Sequence, residues 1–153
     1  MNEAVVESFK VVALSAMPIS ELRGAIPVGV MMGIPPLKVF VLAIIGNILP
    51  VLPLLYLLDP VSAKLRKFKL FKKFFDWLFE RTKRKAQIVE KYELLGLIIL
   101  VAIPLPMTGA WTGCMAASLF GLNKKLSFIA VTVGVLIAGI IVMLLTLGAK
   151  NIF

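Results

Sequence analysis

The chain has 153 residues, 60% of them hydrophobic, a mean hydropathy of +1.00 and a net charge of +9. A soluble globular domain is nearer half apolar, so this composition describes an integral membrane protein, and the length fits one compact domain over 1–153. The single cysteine, Cys114, excludes an internal disulfide, histidine is absent, and no Cys, His or carboxylate cluster has metal-ligand spacing. No cofactor or metal is therefore expected. No nucleophile stands beside a base and no phosphate loop is present, so an enzyme is not expected either.

The start, Met1-Asn2-Glu3-Ala4-Val5-Val6-Glu7, is acidic where a signal peptide would be basic, so no cleaved signal is expected. The first apolar stretch, 4–32, is interrupted near its middle. A helix over 4–17 would be about 21 Å long, too short to cross a core of ~30 Å. A break over Pro18-Ile19-Ser20-Glu21-Leu22-Arg23-Gly24 follows, then a short return arm over 25–32, with Pro27 as a further breaker. Glu21 and Arg23 thus lie at apparent bilayer depth. Ionisable residues there mark function by default, and irregular backbone is tolerated there only when protein or a water-filled cavity covers it.

The second stretch predicts a span over 36–58 that carries Lys38 and Asn47, kinks at Pro50 and Pro53, and ends at Asp59-Pro60. A basic connection over 59–92 follows. Residues 64–91 hold eleven Lys/Arg against Asp76, Glu80 and Glu90, which puts this segment in the cytoplasm by the positive-inside rule. Phe68, Phe71, Phe75 and Leu78 fall at helical spacing opposite a lysine-rich face. That predicts an amphipathic helix in the headgroup plane, with anionic lipid headgroups as partners along 64–85 and no role for nucleic acid.

The third stretch repeats the plan of the first. A hairpin over 94–121 has arms at 94–103 and 110–120 around Pro104-Leu105-Pro106-Met107-Thr108-Gly109. The fourth predicts a span over 126–149. A returning third stretch puts Lys124 and Lys125 back in the cytoplasm and both termini outside.

Gly33-Ile-Pro-Pro-Leu-Lys-Val-Phe40-Val-Leu-Ala-Ile-Ile-Gly46 lies over Gly121-Leu-Asn-Lys-Lys-Leu-Ser-Phe128-Ile-Ala-Val-Thr-Val-Gly134 without a gap, and Pro18 aligns with Pro104 when two residues are inserted. The expected architecture is all-α. It is an inverted repeat of two units, 1–58 and 93–153, each a re-entrant helical hairpin (4–32 and 94–121) followed by a transmembrane helix.

Return arms that begin at the midplane direct orphan N–H groups and positive dipole ends there. Ser20 or Glu21 can cap the first and Thr108 the second. Arg23 adds donors suited to carboxylate or phosphate. These residues, with Trp111, Thr112 and Asn47, are the expected site for an anionic or zwitterionic head. A direct Glu21–Arg23 pair would need the broken backbone, because residues two apart on a helix do not face each other.

Pro18-Ile-Ser-Glu-Leu-Arg-Gly-Ala-Ile-Pro-Val-Gly29 and Ile103-Pro-Leu-Pro-Met-Thr-Gly-Ala-Trp-Thr-Gly113 together resemble the small multidrug export protein family of prokaryotes. The resemblance implies a small membrane exporter. It extends distantly to the DedA, or VTT, group, whose members carry two re-entrant segments in an inverted repeat and move phosphate-bearing lipids. This chain departs from that group in lacking a charged residue in its second hairpin. The expected function is export of an amphipathic small molecule by alternating access at Glu21 and Arg23, with proton coupling open. Translocation of a phosphate-bearing lipid and an accessory subunit without transport are the alternatives. One copy is small for enclosing a pathway, which leaves a homodimer open.

Overall fold

The computed structural model describes residues 3–65, 86–104 and 108–152. The expected amphipathic helix at 68–79, most of the basic segment and Pro106 lie outside the described residues. Those described form seven helices and no strand: α1 (Glu3–Ala16), α2 (Glu21–Met31), α3 (Pro36–Ile48), α4 (Val51–Leu65), α5 (Ala86–Ala102), α6 (Ala110–Leu119) and α7 (Lys124–Ile152). Among the described residues, two stretches are long and apolar enough to cross a membrane: Pro36–Leu58, which is α3 with the apolar part of α4, and Lys124–Lys150 within α7.

Prolines punctuate these elements as their missing N–H requires. Pro36 takes the first position of α3, where no helical donor is needed. The helix is interrupted at Leu49-Pro50, between α3 and α4, and Pro53 sits in the first turn of α4. That helix runs through Asp59 and Pro60 to Leu65 and does not stop where the apolar run does. Hydropathy marks where a helix leaves lipid; backbone hydrogen bonds decide where it ends.

The first break is shorter than its sequence suggests. Only Met17–Ser20 separate α1 from α2. Gly24 and Pro27, expected in the break, lie inside α2, as does Arg23. The chain changes direction at Glu21, whose φ of +46° is left-handed. A non-glycine residue there costs on the order of 1–3 kcal/mol and persists only where its surroundings fix it.

The two halves then make matching contacts. α2 ends in a Schellman turn: Gly33 has φ +81°, its N–H bonds to Val30 O at 3.1 Å, and Ile34 N–H bonds to Gly29 O at 3.3 Å. The same turn recurs 88 positions later, where Gly121 has φ +66°, its N–H bonds to Ser118 O at 3.1 Å, and Leu122 N–H bonds to Ala117 O at 2.9 Å. Gly46 and Gly134 each bring a following helix against the first helix of its own half. A Cβ on Gly46 would stand 2.5 Å from Val12 O and 2.9 Å from Ser15 Cβ; one on Gly134 would stand 3.0 Å from Ile98 O and 2.6 Å from Val101 Cβ.

The register follows from these contacts. Val11 packs on Val39 through Gly29, and the Ser15 hydroxyl donates to Ala43 O at 2.5 Å, so α1 runs alongside α3 in the same direction. Continuing that register sets the 17–20 break beside the middle of the Pro36–Leu58 stretch. Ile98 and Val101 against Gly134 place the end of α5 beside the middle of α7 in the same way. The two long stretches run in opposite directions. Gly139 meets Phe40 and Ile44, while Lys124 Nζ lies 4.4 Å from the Tyr56 ring centroid. α6 packs on α4, α2 on α7, and the core around Leu22, Ile26, Val51, Val101, Val131 and Val135 fills the space between.

Candidate functional site

Each break stands beside the middle of a long apolar stretch, and the two breaks meet. Residues some 90 positions apart in sequence become neighbours there. Two helix C-termini (α1 and α5) and two N-termini (α2 and α6) converge, so carbonyls and N–H groups without helical partners crowd one region. In hydrocarbon each such group left unpaired costs several kcal/mol.

Glu21 serves the N-terminus of α6. Its Oε1 accepts from Trp111 N–H at 3.3 Å, and the Ala110 N–H also bonds to the carboxylate. The side chain is 5% exposed. Gly109 makes the room: a Cβ there would overlap the carboxylate, and its φ of +157° and ψ of −161° suit glycine alone. A negative charge at a helix N-terminus is the favourable sign, worth up to ~2 kcal/mol when partly buried.

Arg23 serves the C-terminus of α5. Its Nη2 donates to Thr108 Oγ1 at 3.1 Å and to Ile103 O at 3.4 Å, just past the last residue of α5. The Thr108 hydroxyl donates to the same Ile103 O at 2.8 Å. Arg23 Nε is buried without a hydrogen-bond partner. A cation at a helix C-terminus again has the favourable sign.

Trp111 completes the exchange. Its indole N–H donates to Ala16 O, the last carbonyl of α1, at 3.1 Å. Arg23 and Trp111 stand at equivalent places in the two halves, each in the first turn of its own helix. Each donates across to the carbonyl that ends the first helix of the other half.

These contacts revise several expected roles. Ser20 does not cap α2; its hydroxyl turns back to Leu14 O at the end of α1. Thr108 donates to Ile103 O and accepts from Arg23, while the Ala110 and Trp111 N–H groups that open α6 bond to Glu21 from the other half. Glu21 and Arg23 lie together at the start of α2 yet take different partners, as helix geometry requires of residues two apart. Pro18 and Pro104 stand in the breaks and Gly109 closes the second. Thr112 follows Trp111 on α6, half-buried. Asn47 is buried on α3 with its Oδ1 unpartnered, and it joins neither the Glu21 nor the Arg23 set of hydrogen bonds.

The acceptors Ala16 O and Ile103 O and the N–H of Ala110 are not legible in the sequence, because backbone groups carry no residue signature. Ser15, buried and bonded to Ala43 O, is a further polar contact absent from the expected site. A polar residue on the apolar face of α1 was the available signal.

Residues 21–141 match the sequence model of a family described as "Putative small multi-drug export protein". That covers most of the chain, including Glu21, Arg23, Trp111 and both long apolar stretches. No curated protein and no solved structure matches the chain.

Proposed function

The chain belongs to the small multi-drug export protein family, and on that premise we propose that it transports an amphipathic small molecule with an anionic or zwitterionic head by alternating access around Glu21 and Arg23. The observation that carries this reading is the exchange at mid-height. Each half satisfies the broken helix ends of the other through one or two side chains. These contacts are polar and lie at the breaks, so a relative shift of the halves would expose N–H groups and a guanidinium to a bound anion. Donors grouped around a buried carboxylate are also what an anionic head would need when it takes the carboxylate's place.

The architecture we infer is an inverted repeat of two units, each a re-entrant hairpin followed by a span. The matching glycine contacts of the two halves support it. So do the opposed directions of the two long stretches and the position of Lys124 beside Tyr56, at the end from which the basic segment departs. In this reading 64–91 is cytoplasmic and the termini are outside. Single cysteines at Lys38 and Lys124 are then expected to react with a membrane-impermeant maleimide from opposite faces. Labelling of both from one face would contradict the arrangement.

Flux into proteoliposomes, measured over a panel of fluorescent cationic, zwitterionic and anionic amphiphiles, tests the function. Glu21→Gln and Arg23→Ala are each expected to cut flux of the accepted probe by roughly ten- to a hundredfold, the equivalent of about 1.5–3 kcal/mol for a charged hydrogen bond. Unchanged flux in both variants would remove this site from the mechanism. A phosphate-bearing lipid is the second reading, favoured by the excess of eight positive charges over 64–91. Scrambling of a fluorescent anionic lipid separates the two, because an exporter of small molecules leaves lipid asymmetry intact.

A further inference from the structure

We propose that the groove between α2 and the C-terminal part of α7 binds a single-chain anionic amphiphile, its hydrocarbon tail along the groove and its head on Lys150. The inference rests on the transport reading in naming a substrate class, while the binding itself can be measured without transport.

The groove has a volume of about 680 Å³ and is walled by Pro27, Val30 and Gly33 on one side and Leu145 and Ala149 on the other, with Lys150 at its end. That volume is within the ~300–1,000 Å³ of small-molecule sites. Two features of the sequence create the space. Gly33 must be glycine to hold its left-handed turn, and a Cβ there would meet nothing within 4 Å. Ala149 keeps the facing wall low.

Polarity along the groove selects the occupant. Thr146 lies in the wall, but its hydroxyl is bonded to Val142 O of its own helix at 2.8 Å. The wall is therefore apolar until Lys150, and no acidic residue is among the described residues that line it. A tail is favoured along the wall and an anion at its end. Lys150 ends the apolar part of α7, where a lysine can rest its stem on apolar surface and keep its ammonium at the headgroup level.

Direction links the groove to the site already described. Arg23 and Pro27 are one turn apart on the same face of α2. A chain laid from Lys150 toward Pro27 thus points from the membrane surface to the two breaks. The groove gives the apolar part of an amphiphile a path beside the polar centre, and that is what a carrier of such molecules needs.

The test uses the full chain in nanodiscs of phosphatidylcholine, with an anthroyloxy-labelled fatty acid as the probe. An alkylphosphocholine of equal chain length and inorganic phosphate serve as competitors. Saturable binding is expected, displaced weakly by the alkylphosphocholine and not by phosphate. Ala149→Trp fills the groove from its rim, and Leu145→Trp does so independently. Each is expected to weaken the probe by about tenfold or more. Lys150→Glu is expected to weaken the anionic probe by about fivefold or more and to leave the alkylphosphocholine within about twofold. Binding in the Ala149→Trp, Leu145→Trp and Lys150→Glu variants reports on the groove, and flux in Glu21→Gln reports on the central site, so loss of the transport reading and loss of the groove are told apart. Three results would overturn the proposal. They are full affinity in both tryptophan variants, equal affinity for the zwitterionic chain, and displacement by phosphate alone, which would mark a headgroup site without a tail.

Discussion

Gly109→Ala is expected to destabilise the protein by about 3 kcal/mol or more, read as a lower midpoint of thermal or denaturant unfolding in micelles. Two costs combine. The backbone at Gly109, with φ +157° and ψ −161°, belongs to a region open to glycine alone, and forcing another residue into it costs on the order of 1–3 kcal/mol. The added methyl would also occupy the position of the Glu21 carboxylate, and overpacking of a tight interior costs typically ~1–3 kcal/mol. The carboxylate has little room to yield, because its bonds to Ala110 and Trp111 fix it on α6. The double variant Glu21→Gly with Gly109→Ala checks the cause. Removing the carboxylate leaves the backbone strain but ends the overlap, so the two substitutions are expected to couple by about 1–2 kcal/mol rather than add. Strict additivity would show that the two positions do not share this space.

Gly46→Ala is the second large effect, about 2–3 kcal/mol by the same measurement. The obstacle is a main-chain oxygen, Val12 O, at 2.5 Å from the new Cβ, and α1 cannot retreat without losing the Ser15 bond to Ala43 O. Gly134→Ala is expected to cost a similar amount, since its Cβ would face Val101 Cβ at 2.6 Å and Ile98 O at 3.0 Å. Gly96 supplies the contrast. A Cβ there meets nothing within 4 Å inside α5, so Gly96→Ala is expected to stabilise by about 0.5–1 kcal/mol through helix propensity. Equal effects at 46, 134 and 96 would mean that helix propensity, and not close approach, governs these positions.

The paired glycines also show which part of the architecture is legible in a sequence. Gly33 with Gly121 and Gly46 with Gly134 keep their spacing because backbone geometry forces them. The first pair holds left-handed turns and the second holds helix contact, and no other residue does either at low cost. Steric requirements of this kind recur wherever the same local structure recurs, even when the apolar residues around them drift. The charged residues carry no such echo. Glu21 faces Gly109, and Arg23 stands where the other half has Trp111. Two side chains of full size do not fit where one carboxylate already fills the space of its counterpart.

Composition and hydropathy by themselves determined a membrane protein with two long apolar helices, and the prolines determined where α1 and α5 give way to breaks. These are local properties, set by transfer from water to lipid and by a missing N–H. The tertiary structure decided the rest. It drew Arg23, Gly24 and Pro27 into α2, sent Ser20 back to Leu14, and set Glu21 on the N-terminus of α6. It also paired Trp111 with Ala16 and Arg23 with Ile103. The physical reason is common to all of these. A buried carbonyl or N–H at a broken helix end must find a partner, and which partner it finds depends on what the fold brings there from 80 or more residues away.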